Sequence, residues 1–295
     1  MTNFELANIT DFELAHIFEC GQCFRWKKQE DGSFIGVVKY GVISIKKDYD
    51  KWCIESNIEN KEFIKQYLDL KTDYTAIKKT ICENDKNLKI ASDYGYGIRI
   101  LNQDPWEMLI SFIISAANNI PRISKTIENI SSKYGQEVKF RGDTYYLFPT
   151  PMELSKASIT DLRQLNLGFR DKYVYEATQM VLNGEIDLNK VKMMPYKEAK
   201  KELMKIPGVG EKVADCILLF SMEKMESFPV DTWIKKIMSE LYFDSKNVKK
   251  ISAFAENKFG KYAGIAQQYL FYYARCRWGR SKLGSVPIGK GLLFR

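Results

Sequence analysis

The sequence has very little histidine and few cysteines. It contains one histidine, His16, and six cysteines, of which only Cys20 and Cys23 share a metal-like C-x-x-C spacing. A structural zinc site needs more ligands than that, so we expect no metal. Because histidine is the usual acid–base residue in catalysis, any chemistry has to depend on Lys, Asp, Glu, Cys, Ser or Tyr.

Long apolar segments are also missing at the start of the chain. The first residues, MTNFELANITDFELAH, include acidic side chains and no uninterrupted apolar run. This pattern excludes a signal peptide and a membrane anchor, so we expect a cytoplasmic protein with no membrane partner.

The composition favours a folded protein with an anionic partner. Hydrophobic residues make up 45% of the 295 positions, enough for one large core or two modest ones. The formal net charge is +8. DNA, RNA and membrane surfaces are all compatible with this charge, which by itself does not choose between them.

The hydrophobic pattern changes along the chain and predicts an α+β protein. Residues 20–57 contain short apolar runs separated by Asp-Gly and Tyr-Gly pairs, which is typical of β-hairpins. After about residue 60, helical periodicity dominates. We predict a small antiparallel-sheet domain over residues 1–95 and a larger all-helical domain over residues 96–295, with the boundary in the glycine-containing segment SDYGYGIRIL.

One central helix has a well-marked start. Asp104 and Pro105 precede the segment WEMLISFIISAANN, and these residue types are preferred at the N-cap and first helical positions. The segment is apolar nearly all round, so we expect a buried helix.

The most informative segment is LMKIPGVGEKVADCILLFSMEKMESFPVDTWIKKIM, residues 203–238. It predicts a helix-hairpin-helix unit at about residues 198–222, because Gly208 and Gly210 follow Pro207 and permit a tight turn. Backbone amides of such a turn, at the start of a helix, form a phosphate site. An ordinary turn between two helices is an equally good interpretation of this turn alone.

Three residues of this segment are candidates for chemistry. Lys212 lies just inside the second helix, where a solvated lysine paired with Asp215 is the simpler interpretation. Cys216 lies one turn later on the same face, as a core thiol or as one wall of a pocket. Asp231, after Pro-Val and before TWIKKIM, is by itself a good helix N-cap.

Taken together, these features resemble the helix-hairpin-helix DNA glycosylase superfamily, and specifically its 8-oxoguanine DNA glycosylase branch. IPGVGEKVADC followed by FPVD is similar to the family's catalytic signature, with the same spacing. Four further segments look like family segments and stand in family order, namely ECGQCFRW, SFIISAANNIPRI, LNLGFRDKYV and KYAGIAQQYLF. The resemblance runs from residue 19 to beyond residue 270.

The resemblance implies a mechanism on double-stranded DNA that contains oxidised guanine, with no cofactor. The enzyme flips the damaged nucleotide out of the helix. Neutral Lys212 then attacks the anomeric carbon, and the resulting imine permits β-elimination of the strand. Asp231 stabilises the positive charge on the sugar, and we expect its position at a helix start to keep it ionised.

The resemblance also assigns residues to the base and to the duplex. The carbonyl of Gly21 accepts the N7–H of the lesion, Gln267 contacts its Watson–Crick edge, and Phe271 and Cys216 cover its two faces. An ordinary amphipathic helix is the alternative for Gln267 and Phe271. The residues assigned to DNA outside the base pocket are Asn119, Arg122, Phe169, Arg170, Gly208 and Gly210.

Within that set, the resemblance implies that Phe169 is the aromatic residue that wedges into the duplex. It also implies that Arg122 and Arg170 contact the cytosine left without a partner. A phosphate contact is the alternative for each arginine. Ala117 stands where the family has an asparagine that fills the gap left by the flipped base. Because alanine donates no side-chain hydrogen bond, we expect a weaker preference for cytosine than a complete set of contacts would give.

Two further positions depart from the family pattern. Trp233 stands where the family often has a histidine, and Ala274 where it often has that histidine's acidic partner. One phosphate contact is therefore expected to be built differently. The iron–sulfur cysteines of other branches are missing, since Cys276 is the only cysteine after Cys216.

Two other kinds of protein are alternatives to this interpretation. A glycosylase for alkylated purines would share the fold and Asp231 but would not need Lys212. A non-catalytic DNA-binding module would need neither residue. We expect a monomer, because one lesion needs one pocket and no segment marks a symmetric interface.

Overall fold

An antiparallel sheet of five strands forms the first part of the protein in a computed structural model that describes residues 1–243 and 245–279. The strands are β1 (Thr2–Leu6), β2 (Trp26–Lys28), β3 (Phe34–Val38), β4 (Gly41–Asp48) and β5 (Lys51–Ser56). They lie in the order β1-β5-β4-β3-β2, and each neighbouring pair is antiparallel.

The turn between β2 and β3 has the Asp-Gly chemistry that the sequence indicated. Gly32 has a φ of 82°, and the Asp31 carboxylate accepts a hydrogen bond from the Ser33 amide at 3.0 Å. The prediction did not include β1, which pairs with β5 at one edge of the sheet. Its sequence, TNFEL, is too short and too polar to give a clear strand signal on its own.

One short helix lies between β1 and β2, and the other helices follow the sheet along most of the remaining chain. They are α1 (Leu14–Phe18), α2 (Lys61–Tyr67), α3 (Tyr74–Cys82), α4 (Lys86–Tyr94), α5 (Pro105–Ser115), α6 (Ile120–Tyr134), α7 (Pro151–Leu154), α8 (Ile159–Leu162), α9 (Asp171–Leu182), α10 (Leu188–Met193), α11 (Tyr196–Leu203), α12 (Glu211–Ser221), α13 (Thr232–Leu241), α14 (Val248–Phe259) and α15 (Ala263–Gly279). Short π and 3-10 turns lie at Arg163–Leu167, Gly168–Arg170 and Gly260–Tyr262.

The α+β prediction, a sheet followed by a larger helical part, is confirmed. The helical part also contains a two-stranded hairpin that was not predicted, β6 (Glu137–Phe140) and β7 (Asp143–Tyr146). Phe140 of this hairpin is buried and packs with Val37 and Val42 of the main sheet. The hairpin therefore joins the helical part to the sheet.

The central helix α5 begins as predicted but ends earlier. The Asp104 carboxylate accepts hydrogen bonds from the amides of Trp106 and Glu107, and Pro105 is the first helical residue. The helix ends at Ser115, although the apolar segment was predicted to continue to residue 119. Asn119 instead caps α6 by accepting a hydrogen bond from the Arg122 amide at 3.1 Å.

The sheet and the later helices have separate apolar cores, and successive segments of the chain contribute to one core or the other. Ile43, Ile45 and Ile54 pack in the sheet core. Tyr74 of α3 and Leu88 of α4 pack instead in the core of the later helices. The predicted boundary near residue 95 stays a prediction, and part of the predicted second domain, residues 280–295, lies outside the described residues.

None of the helices in residues 1–243 and 245–279 is long and apolar enough to cross a membrane.

Candidate active site

The helix-hairpin-helix unit consists of α11, the turn at residues 204–210, and α12. Gly208 has a φ of 84°, and a Cβ there would lie 2.8 Å from Cγ of Tyr173, so only glycine fits. Gly210 is extended, with a φ of −90°, and has open space beside it. No side chain caps the start of α12, which leaves this helix end suited to an anionic group.

Lys212 lies in the first turn of α12 and is half-buried. Its Nζ atom lies 5.3 Å from the centroid of the buried Phe112 ring of α5. The simpler interpretation, an ion pair with Asp215, is wrong. Asp215 instead accepts hydrogen bonds from Lys200 Nζ at 2.8 Å and the Tyr196 hydroxyl at 2.7 Å.

Asp231 is the N-cap of α13, as predicted, and its Oδ1 accepts a hydrogen bond from the Ile234 amide at 2.8 Å. Burial raises the pKa of this carboxyl above its ordinary value, while the capping hydrogen bond and the charge of Lys212 lower it. The capping hydrogen bond acts in the expected direction, but desolvation outweighs it, and the expectation that Asp231 is ionised stays a prediction. Lys212 and Asp231 are close enough to interact electrostatically.

Cys216 lies one turn after Lys212 and is buried. Burial raises the pKa of its thiol to about 11, and the charge of Lys212 acts in the opposite direction. The thiol is thus neutral near pH 7, and a neutral thiol is a poor nucleophile but a suitable apolar wall.

Gly21 and Phe271 lie against each other, although they are far apart in sequence. Gly21 has a φ of 86°, and a Cβ at this position would lie 3.2 Å from the Phe271 ring. The adjacent backbone is held by Gln268, whose Nε2 donates to the Cys20 carbonyl at 2.9 Å. The structure therefore brings together two residues that the sequence assigned to one base.

Gln267 links this region to the loop that carries Asp231. Its Nε2 donates to the Pro229 carbonyl at 3.2 Å. Its Oε1 is buried and accepts no hydrogen bond from the described part of the chain. A buried amide oxygen without a donor is costly, so this atom is suited to a ligand that brings one.

Phe169 and Arg170 lie in one segment and Asn119 and Arg122 in a neighbouring one, and of these four residues only Arg170 is buried. The Phe169 side chain is 61% exposed, and the Arg170 guanidinium lies 4.3 Å from its ring. Arg170 also donates to the carbonyls of Ala116, Ala117 and Leu167. These hydrogen bonds hold the turn before α6 next to the segment that carries the exposed Phe169 ring. Arg122 is exposed to solvent.

Sequence reasoning missed two residues that lie close to the catalytic and base-binding positions. Phe112 lies beneath Lys212, and Arg275 lies beside Gly21 and Phe271. Arg275 could have been found from its spacing, because Gln267, Phe271 and Arg275 follow at intervals of four along one helix. No comparable signal marks Phe112, because its contact with Lys212 joins two different helices.

A helix-hairpin-helix unit followed by a partly buried aspartate at a helix start is the arrangement expected of a helix-hairpin-helix DNA glycosylase, and Lys212 within electrostatic reach of that aspartate is the arrangement expected of a glycosylase/lyase. Comparison with known families agrees. Residues 6–109 match the N-terminal domain of 8-oxoguanine DNA glycosylase, and residues 110–261 match the HhH-GPD superfamily of base excision DNA repair proteins. The chain belongs to this superfamily, in its 8-oxoguanine DNA glycosylase branch.

Relatives are similar over most of their length. The chain is 36% identical to the probable N-glycosylase/DNA lyase of Methanothermobacter thermautotrophicus, over 73% of this chain and 75% of the relative. It is 30% identical to the N-glycosylase/DNA lyase of Saccharomyces cerevisiae, over 90% and 84% of the two chains. The crystal structure of Clostridium acetobutylicum 8-oxoguanine glycosylase/lyase with double-stranded DNA containing cytosine opposite 8-oxoguanine has a TM-score of 0.90 and 46% identity, with 93% and 96% covered.

Proposed function

We infer that the protein is an 8-oxoguanine DNA N-glycosylase with DNA lyase activity, which acts on double-stranded DNA in base excision repair. The observation that carries this inference is the placement of Lys212 within electrostatic reach of the partly buried Asp231, one helical turn before Cys216. A binding module needs no such pair. A glycosylase that only hydrolyses the base needs Asp231 without the lysine.

The duplex is held from several sides. Amides near Gly208 and Gly210, at the uncapped start of α12, bind a backbone phosphate. The exposed Phe169 ring enters the base stack and stabilises the extruded state, while Arg122 and Arg170 contact the unpaired cytosine. Asn119 orients Arg122 because it caps the helix on which Arg122 lies.

Lys212 and Asp231 carry out the chemistry. The Lys212 amine, as a free base, forms a bond to the anomeric carbon, and the N-glycosidic bond breaks with its electron pair leaving on the base, which takes up a proton. Opening of the sugar ring gives an imine between the sugar and Lys212. Loss of a proton from the adjacent carbon then expels the 3′ phosphate and cuts the strand. Asp231 stabilises the positive charge that develops on the sugar.

Recognition of the lesion depends on the atom that oxidation changes. Normal guanine has a lone pair at N7, whereas 8-oxoguanine has an N–H there, which the Gly21 carbonyl accepts. Phe271 stacks on one face of the base and Cys216 closes the other. Gln267 contacts the Watson–Crick edge, and its buried Oε1 gains a donor that residues 1–243 and 245–279 do not supply.

Borohydride trapping tests the function directly, because it reduces a lysine imine to a stable covalent bond. We expect a covalent protein–DNA complex with a duplex that contains 8-oxoguanine opposite cytosine, and none with the undamaged duplex. Binding without a trapped complex, for any damaged base, would favour the DNA-binding module.

The Gln267→Ala variant tests base recognition. We expect excision of 8-oxoguanine to weaken by about 1 to 3 kcal/mol in transition-state stabilisation, because polar edges of the base are left without partners in a buried pocket. Single-turnover excision rates measure the effect, and the melting temperature controls for loss of the bond to Pro229. Unchanged kinetics would remove Gln267 from the site.

The base opposite the lesion gives a further prediction. Excision of 8-oxoguanine is expected to be fastest opposite cytosine, and Arg122→Ala is expected to reduce this preference by about 1 to 3 kcal/mol. Because Arg122 is exposed, its loss should leave the melting temperature unchanged. Arg170→Ala is expected to lower both the preference and the melting temperature, since Arg170 also holds the carbonyls of Ala116 and Ala117. Equal rates opposite all four bases would instead assign both arginines to phosphates.

We further propose that the protein acts as a monomer, since one lesion needs one pocket. The cytoplasmic location expected from the sequence stays a prediction.

A further inference from the structure

Arg275 is a charged residue beside the base-binding positions for which the proposed reaction has no role. It lies on α15, two turns after Gln267 and one turn after Phe271, so the three side chains share one helix face. Its guanidinium carbon lies 5.7 Å from the centroid of the Phe271 ring. The arginine therefore extends the same face that presents the amide and the ring.

The donors of Arg275 are only partly used. Nη2 donates to the Glu19 carbonyl, which anchors the side chain close to the Gly21 segment. Nη1 is buried and has no hydrogen-bond partner within the described residues. A buried guanidinium N–H without an acceptor is unfavourable, and a ligand with an acceptor oxygen removes this cost.

The position of Nη1 indicates which acceptor it meets. Nη1 lies 3.2 Å from where a Cβ on Gly21 would stand, and the Phe271 ring lies at the same distance from that point. In 8-oxoguanine, N7 is flanked by the two carbonyl oxygens, O6 and O8. A donor adjacent to the residue assigned to the N7–H is therefore suitably placed for one of these two oxygens.

We propose that Arg275 is a specificity-determining residue that donates a hydrogen bond from Nη1 to a carbonyl oxygen of the extruded oxidised purine. The inference rests on the proposed function, because it takes as given the base pocket that Gly21 and Phe271 line. Arginine suits this position since all its polar atoms are donors, and both O6 and O8 are acceptors. A purely structural role for Arg275, as a donor to the Glu19 carbonyl, would explain the contact of Nη2 but not the buried Nη1 without a partner among the described residues.

The Arg275→Met variant distinguishes a contact with the damaged base from a contact with the DNA backbone. Two single-turnover reactions are compared, namely excision of 8-oxoguanine opposite cytosine and strand cleavage at a preformed abasic site, which has no base. We expect excision to fall by about tenfold to a hundredfold, the scale of a lost hydrogen bond to a buried polar group, while cleavage at the abasic site is unchanged.

Arg277→Met is the matched control. Arg277 lies on the same helix, is exposed, and donates to the Tyr273 hydroxyl at 3.1 Å, so its replacement removes the same charge away from Gly21. Both reactions should be unchanged. If Arg275→Met melts well below the wild type, Arg275→Lys keeps the charge and most of the stem, and the same split between the reactions is expected.

Two results would overturn the proposal. An equal fall in both reactions would mean that Arg275 contacts the DNA backbone or only stabilises the fold. Unchanged excision would mean that Arg275 does not contact the base. Failure of the proposed function is distinct from these results, because in that case the wild-type protein itself would not excise 8-oxoguanine.

Discussion

Replacement of Lys212 by glutamine is expected to abolish base release, strand cleavage and borohydride trapping, while binding to damaged DNA is retained. An amide nitrogen does not form an imine, so the covalent route is lost completely rather than slowed. Glutamine keeps much of the side-chain length above the Phe112 ring, so we expect the fold around α12 to be preserved. Trapping gels and single-turnover kinetics measure the loss, and gel-shift titration measures the binding.

Lys197→Gln provides the control for this variant. Lys197 lies on α11, the first helix of the same unit, is exposed, and pairs with Glu256 at 2.9 Å. It loses the same charge from the same motif, and an exposed ion pair contributes little to stability. Trapping and excision should therefore match the wild type. A trapped complex that persists in Lys212→Gln would assign the imine to another amine.

The sequence predicted those features of the site that depend on local patterns. The Asp104 cap, the turn at Gly208 and the Asp231 cap each follow from residue types within a few positions, and each is present. The pairing of Lys212 with Asp215 was a local expectation too, and it is wrong because Lys200 and Tyr196 of a different helix take the carboxylate. The sequence of α12 alone does not indicate that side chains of another helix bind the Asp215 carboxylate.

The features that were missed depend on contacts between distant parts of the chain. Strand β1 is defined by its pairing with β5, and the hairpin of β6 and β7 by packing of Phe140 on the main sheet. The raised pKa of Asp231 likewise reflects the desolvation of a capping residue that the fold partly buries. Burial and long-range pairing are properties of the packed structure, which the spacing of residues in one segment does not report.

Replacement of Asp231 by asparagine is expected to lower the excision rate by at least about a hundredfold, the scale for loss of one preorganised electrostatic group. Asparagine caps a helix about as well as aspartate, so the hydrogen bond to the Ile234 amide is kept and only the charge is lost. The variant thus separates the catalytic role from the structural one.

The raised pKa determines how stability should change with pH. A carboxyl whose pKa is higher in the folded state favours folding when it is protonated, and this contribution is lost as the pH rises through the raised value. At neutral pH the buried charge therefore costs stability, and Asp231→Asn should melt no lower than the wild type. A lower melting temperature with near-normal kinetics would make Asp231 a cap only.

The same pKa predicts the acid side of the activity profile. Wild-type excision should fall as the pH decreases through the raised pKa of Asp231, at a higher pH than an exposed aspartate would give, because the protonated acid no longer stabilises the sugar cation. The residual activity of Asp231→Asn should lack this decrease. Asp73→Asn, which changes the exposed N-cap of α3 in the same way, should retain both the wild-type rate and the wild-type profile. A profile shared by all three proteins would exclude Asp231 as the titrating group.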